Sequence, residues 1–277
     1  MSGPVCRTAT PREVAQMLDW AADEGWNPGL DDAAAFYGAD PGGFFVAEIA
    51  GAPVAAISVV NHSRDYAFLG LYLCRPEHRG KGVGFGLWQH ALDHAGARTV
   101  GLDGVPEQEA NYARSGFVLT GRTRRLIGRL SAKPLTLPPA RPEHIAGLMA
   151  LDGAANGVIR PAFLDEWLRN GPTRKTVVLQ NGAEITGFAT ARACHEGCKI
   201  GPIVAPNADD ALHLAQQAAA ALGIRDVIID VPDHAVGFGG LLRGIGFNET
   251  FATARMYRGA PARMSGALCA VATLELG

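Results

Sequence analysis

The stretch CRPEHRGKGVGFGLW, residues 74–88, places glycine at four alternating positions, Gly80, Gly82, Gly84 and Gly86, just before an aromatic residue. Glycine costs a helix about 1 kcal/mol relative to alanine, and it accepts positive φ angles and close backbone approaches that other residues resist. This run therefore indicates a loop in which the main chain must lie against something else.

The flanking sequence places this loop between a strand and a helix. Residues 67–74, AFLGLYLC, are apolar and β-rich, which predicts a central strand. Residues 85–96, FGLWQHALDHAG, carry apolar side chains at helical spacing. The start of a helix presents free N–H groups at the positive end of its dipole, so we predict an anion site there, to which Arg79 and Lys81 add charge.

Two common phosphate motifs do not fit the loop. A P-loop requires Ser or Thr after Lys81, where Gly82 stands, and a dinucleotide fingerprint requires glycine where Leu87 stands. The pattern that remains is R-x-x-G-x-G, formed by Arg79, Gly82 and Gly84. It resembles the acetyl-CoA signature of the GNAT acyltransferases.

The resemblance covers residues 1–130 in full and residues 136–277 more weakly. It implies an α/β fold with a mixed β-sheet flanked by α-helices, and acetyl-CoA as co-substrate. In the family, main-chain groups at the end of the central strand bind the thioester and pantetheine arm, and N–H groups of the glycine loop wrap the pyrophosphate. The residues that the resemblance assigns to the cofactor are Tyr72, Leu73, Cys74, Arg79, Gly80, Lys81, Gly82, Val83, Gly84 and Phe85.

A second mark of the family, Y-x-x-x-G-F, is formed by Tyr112, Gly116 and Phe117. In the family this tyrosine protonates the departing thiolate, so the resemblance makes Tyr112 the catalytic residue. The alternative role is packing of the ring on the sheet. One position departs from the family, because Val105 stands where an asparagine is usual.

The base that takes the proton of the amine is left open by the sequence. The central strand, residues 67–74, contains no carboxylate. Glu48, His62, Asp65 and Asp103 are the candidates, and each also fits an ordinary surface or turn position.

An internal repeat divides the chain. Pro11 and Pro142 begin similar amphipathic helices, Gly51 and Gly182 occupy similar strand turns, and each pair is 131 residues apart. Between the repeats, SAKPLTLPPA contains three prolines and is typical of a linker. We therefore predict two tandem GNAT-like domains, with a catalytic domain at 1–130, a linker at 131–140 and a C-terminal domain at 141–277.

The second repeat lacks the site residues. Its strand-to-helix junction, VAPNADDALHLAQQAAAAL, has no glycine loop, and Leu242 stands where the tyrosine would be, four residues before Gly246. This arrangement resembles a bacterial two-domain GNAT subgroup with a degenerate second domain. The second half is expected to serve as a wall of the acceptor cleft, a dimer surface or a stabilising partner.

The segment EGWNPGLDD, residues 24–32, lies where the family binds its acceptor. We therefore predict substrate contacts from Trp26, Asn27 and Asp32, with a core role as the alternative for Trp26. Arg192 lies on an apolar strand, where an arginine reaches an edge, a partner or a ligand.

Composition narrows the class of protein. The 277 residues are 48% apolar with a net charge of −2, so the sequence lacks the basic stripe that a nucleic-acid-binding protein would need. It also contains no apolar run long enough to span a membrane. The five cysteines indicate reduced thiols in the cytoplasm. No metal is expected, since CHEGC, residues 194–198, lacks a fourth ligand and the usual zinc spacing.

These observations predict a cytoplasmic acetyl-CoA-dependent N-acetyltransferase, a monomer or homodimer. Its acceptor is expected to be a small primary amine such as an amino acid, amino sugar or polyamine. The alternatives are a protein-lysine or aminoglycoside acetyltransferase, or a CoA-binding sensor without catalysis. Retention of Tyr112 beside an intact loop favours an enzyme.

Overall fold

The two halves fold into the same order of elements, as the repeat predicts. The computed structural model describes residues 3–277, so Met1 and Ser2 of the predicted first domain lie outside the described residues. The first half contains β1 Val5–Thr8, α1 Pro11–Asp23, α2 Asp32–Ala39, β2 Phe44–Ile49, β3 Ala52–Asn61, β4 Tyr66–Cys74, α3 Val83–Ala95, β5 Thr99–Gly104, α4 Glu109–Arg114 and β6 Val118–Arg129.

The second half repeats this order without a counterpart of β1 and adds a short strand after the repeat ends. Its elements are α5 Ile145–Asn156, α6 Pro161–Trp167, β7 Arg174–Asn181, β8 Glu184–Ala193, β9 Cys198–Val204, α7 Ala208–Leu222, β10 Asp226–Pro232, α8 Val236–Gly244, β11 Asn248–Arg258 and β12 Leu268–Ala270.

The two halves exchange their last long strands. The strand order is β1-β2-β3-β4-β5-β11-β6-β10-β9-β8-β7, so β11 lies between β5 and β6, while β6 pairs with β10 of the other half. All three of these pairings are antiparallel. The predicted linker, 131–140, follows the exchanged strand and runs to the edge of the second half, where Pro139 bridges Val177. The predicted domains therefore share one sheet, and neither half completes its part without the other.

The helices cover both faces of this sheet. On one face, α3 of the first half and α7 of the second each pack apolar side chains on their own strands. On the other face, α1, α2, α5 and α6 form one shared core, in which Phe36 of α2 stacks on Trp167 of α6 with centroids 6.2 Å apart. No helix within residues 3–277 is long and apolar enough to cross a bilayer.

A buried ion cluster joins the halves beside this shared core. Asp32, at the start of α2, accepts hydrogen bonds from Arg174 Nη2 at 2.8 Å and from Arg192 Nε at 3.1 Å. Both guanidinium groups lie over the ring of Trp167, at 4.1 and 4.6 Å from its centroid. Buried charges require such partners, because desolvation of an unpaired charge is costly. The sequence predicted that Arg192 reaches an edge, a partner or a ligand, and the structure shows an ion-pair partner, Asp32 of the first half.

The segment of residues 268–277 crosses from the second half to the first. Its strand β12 pairs with β9, in the gap where β9 and β10 separate after only two paired positions. Val271 N donates to Asp230 O at 3.0 Å, and further on Leu276 O accepts from His62 Nε2 at 2.8 Å. Gly70 of β4 lies directly against the carbonyl of Glu275, where a side chain would not fit. The segment therefore fills the gap of the second half and ends beside the central strand of the first.

Candidate active site

Strands β4 and β5 open a gap in the first half. They pair in parallel from Tyr66 opposite Thr99 to Leu69 opposite Leu102, and then separate. Just beyond this point β4 contains a bulge, and Leu71 adopts a φ of +47°, which a non-glycine residue seldom does. Such strain is characteristic of functional sites. Beyond this point β4 pairs with β3 only, so its edge toward β5 has no strand partner over residues 70–74.

The glycine loop leads from this gap to the start of α3. Gly80 and Gly82 have φ angles of +72° and +79°, and no protein atom lies within 4 Å of the position a Cβ would take at either residue. Gly82 caps α3, whose first turn leaves N–H groups without partners inside the helix. At Gly84, a Cβ would lie 2.5 Å from the hydroxyl oxygen of Tyr72. The loop is thus an open cradle of main-chain donors, which fits a diphosphate.

The charged side chains predicted for this loop take different positions. Arg79 Nε donates to Cys74 O at 2.8 Å, and its Nη2 forms an ion pair with Glu24 at the end of α1. The Lys81 side chain is exposed. Val83 packs its side chain in the core, so only its N–H can serve a ligand. Arg79 thus connects the end of β4 to α1 at the cavity, while the Lys81 side chain is exposed to solvent.

A cavity of about 640 Å³ lies between the halves next to this loop. The first half contributes β4, the loop, the end of β5 and Tyr112 to its walls, and Val105 lies there too. The exchanged strands and the last segment contribute Arg125, Phe251, Thr253, Leu274 and Glu275. Both halves therefore line this cavity, which is the geometry that a cleft-wall role of the second half would require.

A second cavity, of about 710 Å³, lies between α3 and α4. Tyr72, Phe85 and Tyr112 line both cavities. Trp88 and Gln89 of α3 and Asn111 of α4 line the second one only. The glycines of the loop line the first cavity only, and the two cavities adjoin at these shared residues, with Tyr112 at their boundary.

Tyr112 is held firmly at this boundary. It is 8% exposed, its ring stacks on Trp88 at 5.5 Å, and its edge packs against Gly104, where any side chain would collide with it. Burial is the main cause that raises the pKa of Tyr112 to about 12. The hydroxyl therefore keeps its proton at neutral pH and is available as a donor.

The predicted acceptor loop is bound to the second half. Trp26 lines the cavity, and its carbonyl accepts from Lys199 Nζ at 2.8 Å. Asn27 points away and exchanges two hydrogen bonds with the backbone of Glu196, at 2.8 and 3.2 Å. Asp32 belongs to the ion cluster described above. The structure therefore brings Trp26 to the cavity but places Asn27 and Asp32 in contacts between the halves.

Of the four candidate bases, Asp103 alone lines the cavity. Its side chain is already occupied by the hydroxyls of Thr123 and Thr253 and by the guanidinium of Arg255. The other three lie elsewhere: Glu48 pairs with Arg7, Asp65 is exposed in a turn, and His62 is buried against Leu276 O. Burial is the main cause that lowers the pKa of His62 to about 3.

Sequence reasoning missed Glu275, a buried carboxylate of the cavity. It is 7% exposed and follows Leu274 in the last segment. This segment has little regular structure and belongs to no motif, so only its position in the fold identifies it. The side chains of Arg125, Phe251 and Thr253 were missed for a similar reason, since the exchanged strands bring them to the cavity.

The CHEGC sequence forms the turn between β8 and β9. Cys194 and Cys198 are buried free thiols, and burial raises the pKa of Cys198 to about 12. Within residues 3–277, no group of three or more His, Cys, Asp or Glu side chains is placed to hold a metal ion.

Comparisons with known proteins define the class. The family model described as "Acetyltransferase (GNAT) family" matches residues 12–134, and the one described as "Acetyltransferase (GNAT) domain" matches residues 148–267. The chain belongs to the GNAT acyltransferases and contains two such domains in tandem. A holothin acyltransferase from Pseudoalteromonas sp. (strain SANK 73390) is 37% identical over 277 residues, which cover 98% of this chain and 94% of that relative.

Solved structures share the fold over nearly the whole chain. A putative acetyltransferase from Pyrococcus horikoshii superposes with a TM-score of 0.83 at 20% identity, covering 100% of this chain and 97% of that one. A tandem GNAT protein from the clavulanic acid biosynthesis pathway gives a TM-score of 0.60 at 16% identity, covering 95% and 98% of the two chains. At these identities the likeness concerns the tandem fold alone.

Proposed function

We propose that this acyltransferase moves the acetyl group of acetyl-CoA to a small primary amine. The observation that carries the proposal is the continuous arrangement of three features that an acyl-CoA could follow. These are the open glycine cradle, the gap between β4 and β5 beyond Leu69 and Leu102, and Tyr112 at the boundary of both cavities. Acetyl-CoA would supply an activated thioester. Main-chain N–H groups of Gly80 through Phe85 would bind its pyrophosphate, and the edge of β4 that β5 leaves open at residues 72–74 would bind its thioester arm.

The cavity supports a compact acceptor. Trp26, Phe251 and Leu274 provide apolar walls, while Asp103 and Glu275 provide carboxylates. Because the Trp26 loop and the last segment both close on this space, it favours a small molecule over the lysine of a folded protein. Its apolar walls also favour an amine with a single reacting nitrogen over an aminoglycoside, which carries many charges.

The proposal is tested by release of CoA thiol with a panel of acceptors. Holothin, which the name of the 37% identical relative supplies, is the first compound, followed by amino acids, amino sugars, polyamines and arylalkylamines. Each acceptor is assayed with acetyl-CoA and with longer acyl-CoA thioesters. We expect acceptor-dependent thiol release with acetyl-CoA and a compact acceptor. If no compound raises thiol release above the acceptor-free rate, the proposal is wrong.

Replacing Tyr112 by phenylalanine is expected to lower kcat by about 10²–10⁴-fold, the usual contribution of general acid catalysis. Affinity for acetyl-CoA should change less than about twofold, because the hydroxyl acts as the thiolate leaves and not in binding. Tyr37→Phe is the matched control, since Tyr37 packs against the shared core away from the cavities. Steady-state kinetics and acetyl-CoA titration decide the matter, and a loss below about threefold would contradict a catalytic role.

The pH profile tests the same assignment. Since the pKa of Tyr112 is about 12, the wild-type rate should rise with pH as the amine loses its proton and should show no fall that is due to Tyr112 at neutral or mildly alkaline pH. Tyr112→Phe should keep this rise of the rate with pH, because the rise reflects deprotonation of the acceptor amine. A falling limb near pH 8 that disappears in Tyr112→Phe would show that the phenol titrates far below the expected range.

A further inference from the structure

Glu275 stands apart from the other buried charges of this fold. Within residues 3–277, every buried arginine and every buried aspartate forms an ion pair at 4.0 Å or less, for example Arg125 with Asp230 at 2.7 Å. Glu275 and Lys199 are the buried charged side chains of that range without such a pair. A buried carboxylate without a cation is costly, so its retention requires a reason.

One oxygen of this carboxylate is available. Oε2 accepts from the hydroxyl of Thr273, whereas Oε1 has no hydrogen-bond partner within residues 3–277. The Glu275 backbone is fixed, because its carbonyl packs on Gly70 beside the β4 bulge and the next residue binds His62. Since Glu275 lines the 640 Å³ cavity, Oε1 is the free acceptor of a positioned group. Asp103, by contrast, has both oxygens occupied.

Positive charges surround Glu275 at longer range. Arg125 of β6, Arg192 of β8 and Lys199 of β9 are the cations that interact with it through space. Arg125 and Arg192 are already paired with aspartates, and Lys199 donates to Trp26 O. Burial is the main cause that lowers the pKa of Lys199. These cations surround Glu275 without occupying Oε1.

We propose that Glu275 binds the acceptor nitrogen and takes its proton during acyl transfer, an inference that rests on the proposed function. The amine nitrogen donates to Oε1. As the new N–C bond forms, the C–S bond of the thioester breaks. The proton of the amine passes to Oε1, and the proton of the Tyr112 hydroxyl passes to the departing sulfur. Water then carries the proton from Glu275 away and returns one to Tyr112, so both groups regain their starting states.

Binding of benzylamine hydrochloride to the full chain tests this assignment without catalysis. Benzylammonium has one charged nitrogen and a flat apolar body, which matches Oε1 and the walls formed by Trp26 and Phe251. We expect Glu275→Gln to weaken binding about 10- to 100-fold in titration calorimetry, the loss typical of a charge-assisted hydrogen bond. Glu275→Asp should retain part of the affinity. Glu184→Gln is the control, because Glu184 is exposed in the β7–β8 hairpin.

The result that overturns the proposal is equal benzylamine affinity in wild type and Glu275→Gln, or no binding to wild type at all. Thermal unfolding excludes a folding defect. If Glu275 only balances the charge of Lys199, the double variant Glu275→Gln/Lys199→Met will recover the stability that Glu275→Gln loses and will bind benzylamine as wild type does, which also overturns it.

Kinetics separate this inference from the proposed function. With holothin or the panel amine that replaces it, Glu275→Ala is expected to lose about 10²–10⁴-fold in kcat and to recover part of it in added formate, which supplies the missing carboxylate. Glu184→Ala should show neither effect. Loss of kcat without formate rescue in Glu275→Ala, together with unchanged benzylamine affinity in Glu275→Gln, contradicts the role. Failure of every acceptor while benzylamine binding still depends on Glu275 refutes the proposed function, and with it the proton transfer, but leaves the amine-binding role of Glu275 standing.

Discussion

A fragment of residues 1–132 will not fold into a half-molecule that binds acyl-CoA. In the full chain, β11 pairs with β5 from Ala254 opposite Gly104 to Arg258 opposite Val100, and within the sheet β6 is joined to the strands of the first half only through β11. Without β11, β5 has an open edge and β6 has no neighbour. Asp103 also loses the Thr253 and Arg255 donors that bind it. Circular dichroism and size-exclusion chromatography should therefore report an unfolded or aggregated fragment.

The control for this experiment is the complementary fragment. Co-expression of residues 1–132 with residues 133–277 supplies β11 and the segment 268–277 in trans. The two pieces should assemble into one particle with a cooperative thermal transition, because the cut falls in the linker and removes no pairing of the sheet. A fragment 1–132 that unfolds cooperatively on its own and binds acetyl-CoA would contradict the strand exchange.

Gly82→Val is expected to reduce acetyl-CoA affinity by about 100-fold or more. Gly82 has a φ of +79°, which costs a β-branched residue about 1–2 kcal/mol or more, so the loop would relax from its present geometry. The new side chain would also occupy the open space of the cradle, from which the first N–H groups of α3 are reached. Calorimetric titration with acetyl-CoA measures the loss.

A matched control separates strain from binding. Gly223 caps α7 with a φ of +74°, and it also has no protein atom within 4 Å of a Cβ, but it lies outside both cavities. Gly223→Val should lower the free energy of unfolding about as much as Gly82→Val while acetyl-CoA binding stays normal. Equal affinity in Gly82→Val and wild type would show that the loop does not bind the cofactor.

The sequence predicted the parts of the site that local physics determines. Glycines at positive φ, an apolar strand before them and an amphipathic helix after them specify the loop of residues 79–85 whatever surrounds it. The repeat likewise predicted matching elements in both halves, because each half carries the same hydrophobic periods. Strand β1 was missed, since four residues beside an exposed edge give almost no pattern.

The parts that depend on long-range pairing were not predictable from one sequence. An alternating strand such as β6 has the same period whether it pairs within its own half or with the other, so the exchange left no local signal. The polar residues of the loop at 24–32 were compatible both with ligand contacts and with contacts between the halves. In the structure, Asn27 binds Glu196, and Asp32 binds Arg174 and Arg192 of the other half. Glu275 gave no signal because it lies in an irregular segment.

The number of acyl-CoA molecules bound per chain tests the central claim, a single site in the first half. The second half has no glycine loop, and β12 already occupies the gap between its strands β9 and β10. Titration calorimetry of the full chain with acetyl-CoA should therefore give one site per chain, and Gly82→Val should remove it. Two equivalent sites per chain, or one site that survives in Gly82→Val, would contradict the account.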